Sequence, residues 1–268
     1  YMLIALKGGL MTNRTANPNV SATAGADEKA FLAEYDVSRF PRPSVAVDLV
    51  LLTVCDRELR VLLVRRTEHP QKGEWSLPGG FVGPQESLEA TCERVLRAKA
   101  GLAGVFLEQL YTFGEPTRDP RTRVISVAYV ALVAPERFEG IVRSGEVDRM
   151  IARVHVRWKG ERGGPAEAAA GAGGSLRLAF DHAEILGMAV RRLRGKLAYT
   201  PIGYELLPRE FTLRQLQDLH ETIMGEATNK DSFRRKMLAT GELEATGRLE
   251  EHVEHRPAEL YRFRARAR

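Results

Sequence analysis

The chain has 268 residues, a formal net charge of +5 and two cysteines. This length suffices for two domains with separate hydrophobic cores, whereas two cysteines are too few for a disulfide framework or a cysteine-ligated zinc site. The sequence has no apolar run of membrane-spanning length and no convincing secretory signal, which predicts a soluble, cytoplasmic protein without a membrane partner. The basic charge permits a polyanionic partner but does not require one.

The first part of the chain changes from a polar tail to apolar strands. Residues 1–38 are rich in small and polar residues without a sustained period, which predicts a disordered or flexible tail with a possible short helix at 28–35. The apolar runs at 44–54 and 60–66 flank a polar turn and predict a buried β-hairpin. Because strand side chains alternate, only one of the two arginines that end this hairpin can point towards the following loop.

Residues 73–102 read as a loop, a glycine turn and a helix. Gly79 and Gly80 permit unusual backbone angles, Ser87 is a predicted N-cap, and Gly101 ends the helical pattern. This stretch resembles a Nudix box, whose pattern of glycine, glutamate, arginine and apolar residues is matched in register by Gly80, Glu86, Arg94, Leu96, Gly101 and Leu102. The alternative is an accidental match on an ordinary amphipathic helix.

The metal-binding positions of this helix lack carboxylates. The family pattern has three glutamates that hold a divalent metal on one helical face, and here those positions are Val95, Ala98 and Lys99. The remaining carboxylates, Glu89 and Glu93, point away from that face because successive helical residues are rotated by about 100°. Magnesium needs oxygen ligands, and diphosphate hydrolysis needs the metal. We therefore predict a Nudix domain with no metal site, no catalytic residue and no hydrolase activity.

An arginine-rich loop follows the box. The strands predicted at 105–113 and 124–133 are joined by residues 114–123, which include two prolines and three arginines. That composition suits a dianionic ligand, although a solvated charged turn explains it equally well. The series Tyr-Thr-Phe-Gly, Arg-Asp-Pro-Arg and Ser-Val-Ala-Tyr resembles the Nudix branch that handles ADP-ribose, and this resemblance favours the ligand interpretation.

A low-complexity region separates these strands from the next helix. Residues 135–175 contain glycine- and alanine-rich stretches and predict a flexible insertion with one strand at 151–158. The following helix is predicted to reach about residue 198 with Asp181 as its cap. Its Phe-Asp-His start is similar to a segment that closes Nudix domains beside the ligand pocket. For His182, packing or capping is favoured over metal ligation because no metal partner is visible.

Residues 211–263 predict a helix, a turn, a second helix and a hairpin, which is the order of a winged helix-turn-helix. Thr212 and Gln215 form a capping box at the start of the first helix, and Gly225 ends that helix. The second helix is predicted at 229–240. The residues of this helix that we expect to face the core are Phe233, Met237 and Leu238.

The open side of the second helix supplies the predicted DNA contacts. Arg235 is the candidate for reading guanine, with Ser232 and Asn229 as secondary base contacts. The basic residues expected to bind phosphates or to supply positive charge near them are Lys230, Arg234, Lys236 and Arg256. Because the wing at 250–254 is unusually acidic, a helical hairpin used for protein association is the alternative.

Residues 40–265 together are similar to the Nudix-related transcriptional regulators of NAD metabolism. The expected fold class is α/β (α+β), with a Nudix-type mixed sheet and flanking helices followed by a C-terminal winged helix-turn-helix. The expected limits are a tail at 1–38, a Nudix-like effector-binding domain at 39–200 and a DNA-binding domain at 201–268. The resemblance implies a homodimeric repressor of NAD-synthesis or salvage genes that binds a double-stranded DNA operator.

The same resemblance implies that the Nudix domain senses ADP-ribose, NAD or a related dinucleotide and requires no cofactor. Arginines would take the phosphates, and Lys99 would place a fixed cation where magnesium sits in the family. The predicted ligand-binding residues are Arg66, Gly79, Gly80, Glu86, Lys99, Arg121, Arg123, Phe180 and His182. The rival interpretation is an active ADP-ribose pyrophosphatase with an appended interaction domain.

Overall fold

The computed structural model describes residues 22–143, 148–171, 173–197, 206–251, 253–254 and 256–264. The described part of the chain divides into two compact units between Arg42 and Pro43. The first contains helix α1, Ala22–Glu34, and a 3-10 turn at Val37–Arg39. The helix starts six residues earlier than the 28–35 helix predicted above, because its alanine-rich sequence favours helix. Residues 1–21 of the predicted tail lie outside the described residues.

A mixed sheet dominates the second unit. Its strand order is β5-β6-β1-β2-β7-β8-β9, with β3 paired to β2 and β4 paired to β1. Strands β1 and β6 are parallel, whereas β1 and β2 form the predicted antiparallel hairpin. The strands are β1 Ser44–Cys55, β2 Glu58–Arg65, β3 Trp75–Ser76, β4 Gly79–Phe81, β5 Glu108–Phe113, β6 Val124–Leu132, β7 Arg149–His155, β8 Glu167–Ala169 and β9 Ser175–Leu176.

Helices cover both faces of this sheet, as the apolar hairpin sequence predicts. Alternate residues of β1 enter opposite cores: Leu49 and Leu51 pack on the side of α2, whereas Val50 and Leu52 pack on the side of α4. The helices are α2 Leu88–Val95, α3 Pro135–Arg143 and α4 His182–Leu197. None of the helices in the described ranges is long and apolar enough to cross a membrane.

The ends of α2 follow the sequence prediction. The Ser87 side chain accepts a hydrogen bond from the Ala90 amide, which confirms the predicted N-cap. The last turn, Leu96–Ala100, is π-helical, and Gly101 ends it with φ of 66°. Helical geometry therefore continues to the predicted glycine, although its final turn is wider than an α-helix.

The flexible insertion predicted at 135–175 is wrong where α3, β8 and β9 occupy it, whereas β7 confirms the strand that we predicted at 151–158. Its small residues serve close packing. Ala166 and Ala168 are buried beneath α4, and a Cβ on Gly187 of that helix would overlap the Gly164 carbonyl oxygen. The small side chains here allow two backbone segments to pack closely. From composition alone, this role of alanine and glycine could not be distinguished from a flexible loop.

The C-terminal elements form the predicted winged helix. Thr212 and Gln215 make the expected capping box, and Gly225 ends the first helix with φ of 72°. Its elements are β10 Phe211–Thr212, α5 Leu213–Met224, α6 Lys230–Ala239, β11 Leu243–Leu249 and β12 Glu259–Phe263, and the strands pair in the order β10-β12-β11.

The core of the winged helix corrects one prediction about α6. Phe233 is buried and Met237 packs against the same core, but Leu238 is 40% exposed. At about 100° per residue, Leu238 lies roughly 140° around the helix from Phe233, whereas Met237 lies only about 40° away. The expected core position of Leu238 was therefore wrong.

Candidate nucleotide pocket and nucleic-acid interface

A pocket of about 310 Å³ lies beside β4 and the turn that follows α2, both of which belong to the stretch that resembles a Nudix box. It is bounded by the ends of β2 and β4, the last turn after α2, the loop before β6 and the start of α4. The predicted ligand residues that line it are Arg66, Gly79, Gly80, Lys99, Arg121, Phe180 and His182. Seven of the nine predicted ligand residues therefore line this cavity, although they are a minority of its twenty lining residues.

Arginines and aromatic rings meet at the mouth of the pocket. The Arg66 guanidinium carbon lies 4.7 Å from the centre of the Phe180 ring, and that of Arg121 lies 5.2 Å from the Phe81 ring. Burial and repulsion from Arg121 lower the pKa of Arg66. Two cations thus face one cavity, and an anionic ligand would relieve their repulsion.

Phe180 has a backbone conformation that is uncommon for a residue with a side chain. Its φ is 54°, and its amide donates a 2.7 Å hydrogen bond to Oε1 of Gln71. A left-handed conformation at such a residue costs about 1–3 kcal/mol and persists when surrounding contacts hold it. The contact with Gln71 fixes the ring beside the two arginines.

The helical face that points into the pocket lacks acidic groups. Val95 is 1% exposed, and its Cγ2 would lie 3.2 Å from a Cβ on Gly80. Ala98 and Lys99 line the cavity, and the Lys99 Nζ donates a 2.5 Å hydrogen bond to the Gly79 carbonyl. Desolvation, followed by repulsion from Arg66, lowers the pKa of Lys99. Within the described ranges, no cluster of three or more His, Cys, Asp or Glu side chains suits a metal ion.

Asp48 anchors the floor of the pocket. Its Oδ2 accepts a 2.5 Å hydrogen bond from the Ser126 hydroxyl and lies 3.4 Å from Nη2 of Arg118. A Cβ on Gly79 would overlap Oδ1 of Asp48, so this position requires glycine. Sequence reasoning missed Asp48 and Arg118. The available signal was a single acid inside an apolar strand and a third arginine in the loop before β6.

The start of α4 joins this floor. Arg118 donates hydrogen bonds to both carboxylate oxygens of Asp181, at 2.6 and 2.8 Å. The side chain of Asp181 therefore forms a two-point ion pair with an arginine. His182 accepts a 2.9 Å hydrogen bond from the Leu77 amide at Nδ1, and its Nε2 lies 3.5 Å from Asp48. Because Nδ1 is an acceptor, the proton resides on Nε2. Desolvation lowers the pKa of His182, which keeps the ring neutral.

Two predicted ligand residues lie outside the pocket lining. Glu86 accepts two 2.7 Å hydrogen bonds from Arg94, which are the main reason that its pKa is lowered to about 2. It therefore fastens the loop to α2. Arg123 is exposed, because the adjacent Val124 points into the pocket and strand alternation turns Arg123 away.

The outer face of α6 carries the predicted DNA contacts. Its exposed residues include Lys230, Ser232, Arg234, Arg235 and Lys236. Asn229 is the N-cap, and its Oδ1 accepts hydrogen bonds from the Asp231 and Ser232 amides at 3.1 and 3.0 Å. The side-chain oxygen of Asn229 is therefore used by the helix, while its side-chain NH2 group is the donor left for a base, and base reading by Asn229 stays a prediction.

The wing beyond α6 combines internal pairs with exposed acids. Arg248 pairs with Glu210 at 3.1 Å, and the Glu250 carboxylate accepts a hydrogen bond from the Ala258 amide at 3.2 Å. Glu251 and Arg256 are exposed. One of the acidic wing residues thus stabilises the hairpin.

Comparison with known proteins identifies the family that combines these two parts. The NUDIX domain family matches residues 43–158, and the NrtR DNA-binding winged helix domain family matches residues 203–263. The ADPR responsive transcriptional repressor NtrR of Acinetobacter baylyi is 36% identical over 240 residues, which are 89% of this chain and 89% of that protein. The chain belongs to the NrtR family.

Solved structures also resemble this NrtR-family chain. Shewanella oneidensis NrtR complexed with a 27mer DNA is 33% identical with a TM-score of 0.65, covering 82% of this chain and 93% of that chain. A MutT/nudix family protein from Enterococcus faecalis is 25% identical with a TM-score of 0.72, covering 92% of this chain and 95% of that chain. The predicted family, fold class and regulatory function are confirmed. As a member of the NrtR family, the chain is a DNA-binding transcriptional regulator.

Proposed function

We propose that this NrtR-family protein is a repressor of NAD-synthesis or salvage genes whose DNA affinity changes when ADP-ribose binds the Nudix pocket. One observation carries the proposal: a cavity surrounded by arginine, lysine and aromatic side chains is joined to a winged helix with an exposed basic helix. The name of the Acinetobacter baylyi relative, which describes it as ADPR responsive, supports ADP-ribose ahead of NAD as the effector.

In this proposal, the pocket recognises the diphosphate through fixed cations. Arg66 and Arg121 lie beside Phe180 at the mouth, and Lys99 enters from the helix. Arginine forks match phosphate oxygens, and a lysine supplies a compact point charge. Gly79 and Gly80 also line the cavity, and their lack of side chains allows Asp48 and Val95 to approach closely. The aromatic faces of Phe81 and Phe180 offer stacking surfaces for the adenine or ribose.

The residues at the Nudix metal positions do not fit magnesium. Val95 is buried among apolar side chains, Ala98 has no ligand atom, and Lys99 is a cation. Magnesium takes oxygen ligands, so this helical face cannot provide its usual coordination. We therefore propose that the pocket binds ADP-ribose without hydrolysing it. The rival, an active pyrophosphatase, predicts sustained AMP release from ADP-ribose and magnesium.

For the DNA-binding part, we propose that Arg235 and Ser232 reach base edges and that Lys230, Arg234 and Lys236 bind phosphates. This assignment rests on their exposure on one helix. We propose a cytoplasmic homodimer that places two copies of α6 on half-sites about one duplex turn apart. Residues 39–200 and 201–268 remain our proposed domain limits, with Arg256 as an additional phosphate contact.

The decisive experiment titrates ADP-ribose and NAD separately against the protein bound to a labelled promoter fragment at a stated salt concentration. We expect ADP-ribose to change the dissociation constant for DNA at lower concentration than NAD. The same samples, supplied with magnesium, are analysed for AMP. An unchanged DNA affinity at saturating ADP-ribose would reject nucleotide control, and continued AMP release would reject binding without turnover.

A further inference from the structure

Helix α4 reaches from the nucleotide pocket to the winged helix. At its start, Asp181 accepts hydrogen bonds from Arg118, and His182 accepts one from the Leu77 amide. Both Arg118 and Leu77 line the pocket. Arg194 lies near the other end, about 18 Å further along at 1.5 Å per residue. One rigid element therefore contacts both the cavity and the elements that carry α6.

Arg194 is buried at the junction with α5 and is only 4% exposed. Its Nε donates a 2.8 Å hydrogen bond to the Ile223 carbonyl, and its Nη1 donates to the carbonyls of Trp158 and Gly160 at 3.3 and 3.2 Å. The guanidinium carbon also lies 4.8 Å from the Trp158 ring centre. A Cβ on Gly225 would lie 3.2 Å from Nη2, so the guanidinium occupies a close-fitting space. This single side chain joins three segments.

The Ile223 carbonyl belongs to the last turn of α5, where helix carbonyls lack intrahelical amide partners. A cation is favourable at that end of a helix, so Arg194 both caps α5 and fixes its position against α4. Burying a charge carries a desolvation cost that a well-packed apolar residue would avoid. A positioning function accounts for a buried guanidinium here better than stability does.

Helix α5 transmits its position to α6. Leu219 and Ile223 pack in the core shared with α4, whereas Leu213 and Leu216 pack in the core of the winged helix. The Gln217 side chain donates to the Thr228 carbonyl at 3.0 Å, immediately before the N-cap of α6. A shift of α5 relative to α4 would therefore move the DNA-contacting helix with it.

We propose that Arg194 is the positioning residue through which occupancy of the nucleotide pocket changes the placement of α6. This inference rests on the proposed function, since it requires ADP-ribose to alter DNA affinity. A ligand changes an equilibrium only when it favours one arrangement over another. A nucleotide that moves the start of α4 changes the arrangement at Arg194, and the hydrogen bond from its Nε to the Ile223 carbonyl carries that change to α5.

The test compares Arg194→Met with Arg191→Met, a matched change at an exposed position on the same helix. The measured quantity is the ratio of the dissociation constants for DNA with and without saturating ADP-ribose. The DNA is a duplex that wild-type protein enriches from random sequence. By thermodynamic linkage, DNA must change the dissociation constant for ADP-ribose by the same factor. Measuring ADP-ribose binding with and without DNA therefore gives an independent value of this ratio.

We expect a wild-type ratio on the order of 5–150-fold. In Arg194→Met the ratio should fall to about 1–2, while ADP-ribose affinity without DNA stays within about twofold of wild type. Arg191→Met should keep the wild-type ratio. If Arg194→Met is too unstable to assay, Arg194→Lys, which keeps the charge without the three-carbonyl geometry, should also lower the ratio.

The outcomes separate this inference from the proposed function. A full wild-type ratio in Arg194→Met, or in Arg194→Lys where that variant replaces it, would overturn the positioning role and leave nucleotide control intact. A wild-type ratio of 1 would overturn nucleotide control and the role of Arg194 together. A lower ratio accompanied by an equal loss of ADP-ribose affinity without DNA would also overturn the positioning role, because it would indicate damage to the pocket.

Discussion

The nucleotide pocket and the outer face of α6 are both basic, but they hold their charges differently. In the pocket, Arg118 forks onto Asp181, and Arg121 donates to both oxygens of Asp119 at 2.7 and 3.0 Å. On α6, Arg235 and Lys236 are exposed to solvent. Fixed cations suit a small ligand of one shape, whereas exposed side chains can adapt to a long polyanion. In our proposal, the same residue types serve two kinds of recognition.

The largest expected effect is a loss of nucleotide affinity on charge reversal in the pocket. Lys99→Glu removes a cation and places a carboxylate beside the diphosphate. Truncating one member of a desolvated charge pair costs about 2–5 kcal/mol, so we expect a loss of roughly 4 kcal/mol in ADP-ribose binding, measured by calorimetry. The control is Arg97→Glu, because the exposed Arg97 pairs with Glu93 outside the pocket. Equal losses in both variants would contradict a specific role for Lys99.

A second comparison uses pH, since each region contains a histidine whose pKa is lowered by burial. In the winged helix, burial followed by repulsion from Lys236 lowers the pKa of His220 to about 4. Unfolded His220 binds a proton near pH 6.5 and the folded form does not, so stability is fully present above that pH and falls as pH decreases towards 4. The contribution is roughly 3 kcal/mol, at 1.36 kcal/mol per pKa unit.

Denaturant unfolding of His220→Leu between pH 7.5 and 4.5 measures this contribution. The variant should lose less unfolding free energy than wild type as the pH falls, because leucine has no group that takes up a proton when the chain unfolds. His182 remains in both proteins. The lowered pKa of its buried ring accounts for part of the slope of unfolding free energy against pH that the variant keeps. Identical slopes in wild type and variant would show that His220 is not held neutral by the fold.

The third prediction concerns base recognition. Arg235→Ala should weaken binding to the cognate site by about 1–3 kcal/mol and leave binding to unrelated DNA almost unchanged. Fluorescence anisotropy with both duplexes at one salt concentration measures the difference. If cognate affinity is unaffected, Arg235 does not read a base. The protein-association alternative for this domain would then gain support.

The smallest expected effect distinguishes phosphate contacts from base contacts. Lys230→Ala should weaken binding to cognate and unrelated DNA about equally, and the slope of log affinity against log salt should decrease by about 1. Titrations across several salt concentrations measure both quantities. A loss confined to the cognate duplex would reassign Lys230 to base recognition.

Local chemistry made many features of this chain predictable. The Ser87 N-cap, the Thr212 capping box and the glycines that end two helices depend on neighbouring residues, so the sequence contains most of the necessary information. The parallel pairing of β1 with β6 and the convergence of Asp48 with Arg118 depend on distant segments. Such contacts are set by the tertiary fold and are not visible in local patterns.

Two departures from the sequence expectations, the ordered part of residues 135–175 and the position of Glu86 outside the pocket, share a physical cause. Alanine and glycine between 164 and 174 suggested flexibility, although close packing against Gly187 also requires small residues. Glu86 matched a family position, yet Arg94 and the surrounding loop use its carboxylate. In each case the neighbouring segment that determines the role of the residue could not be identified from sequence.

Chelation of divalent metal tests most directly whether fixed cations replace magnesium in this pocket. Calorimetric titration of ADP-ribose is carried out with excess EDTA and again with magnesium. If Arg66, Lys99 and Arg121 supply the positive charge, the dissociation constant should agree within about twofold between the two conditions, since bound metal makes no contribution. Binding that disappears in EDTA and returns with magnesium would contradict the account.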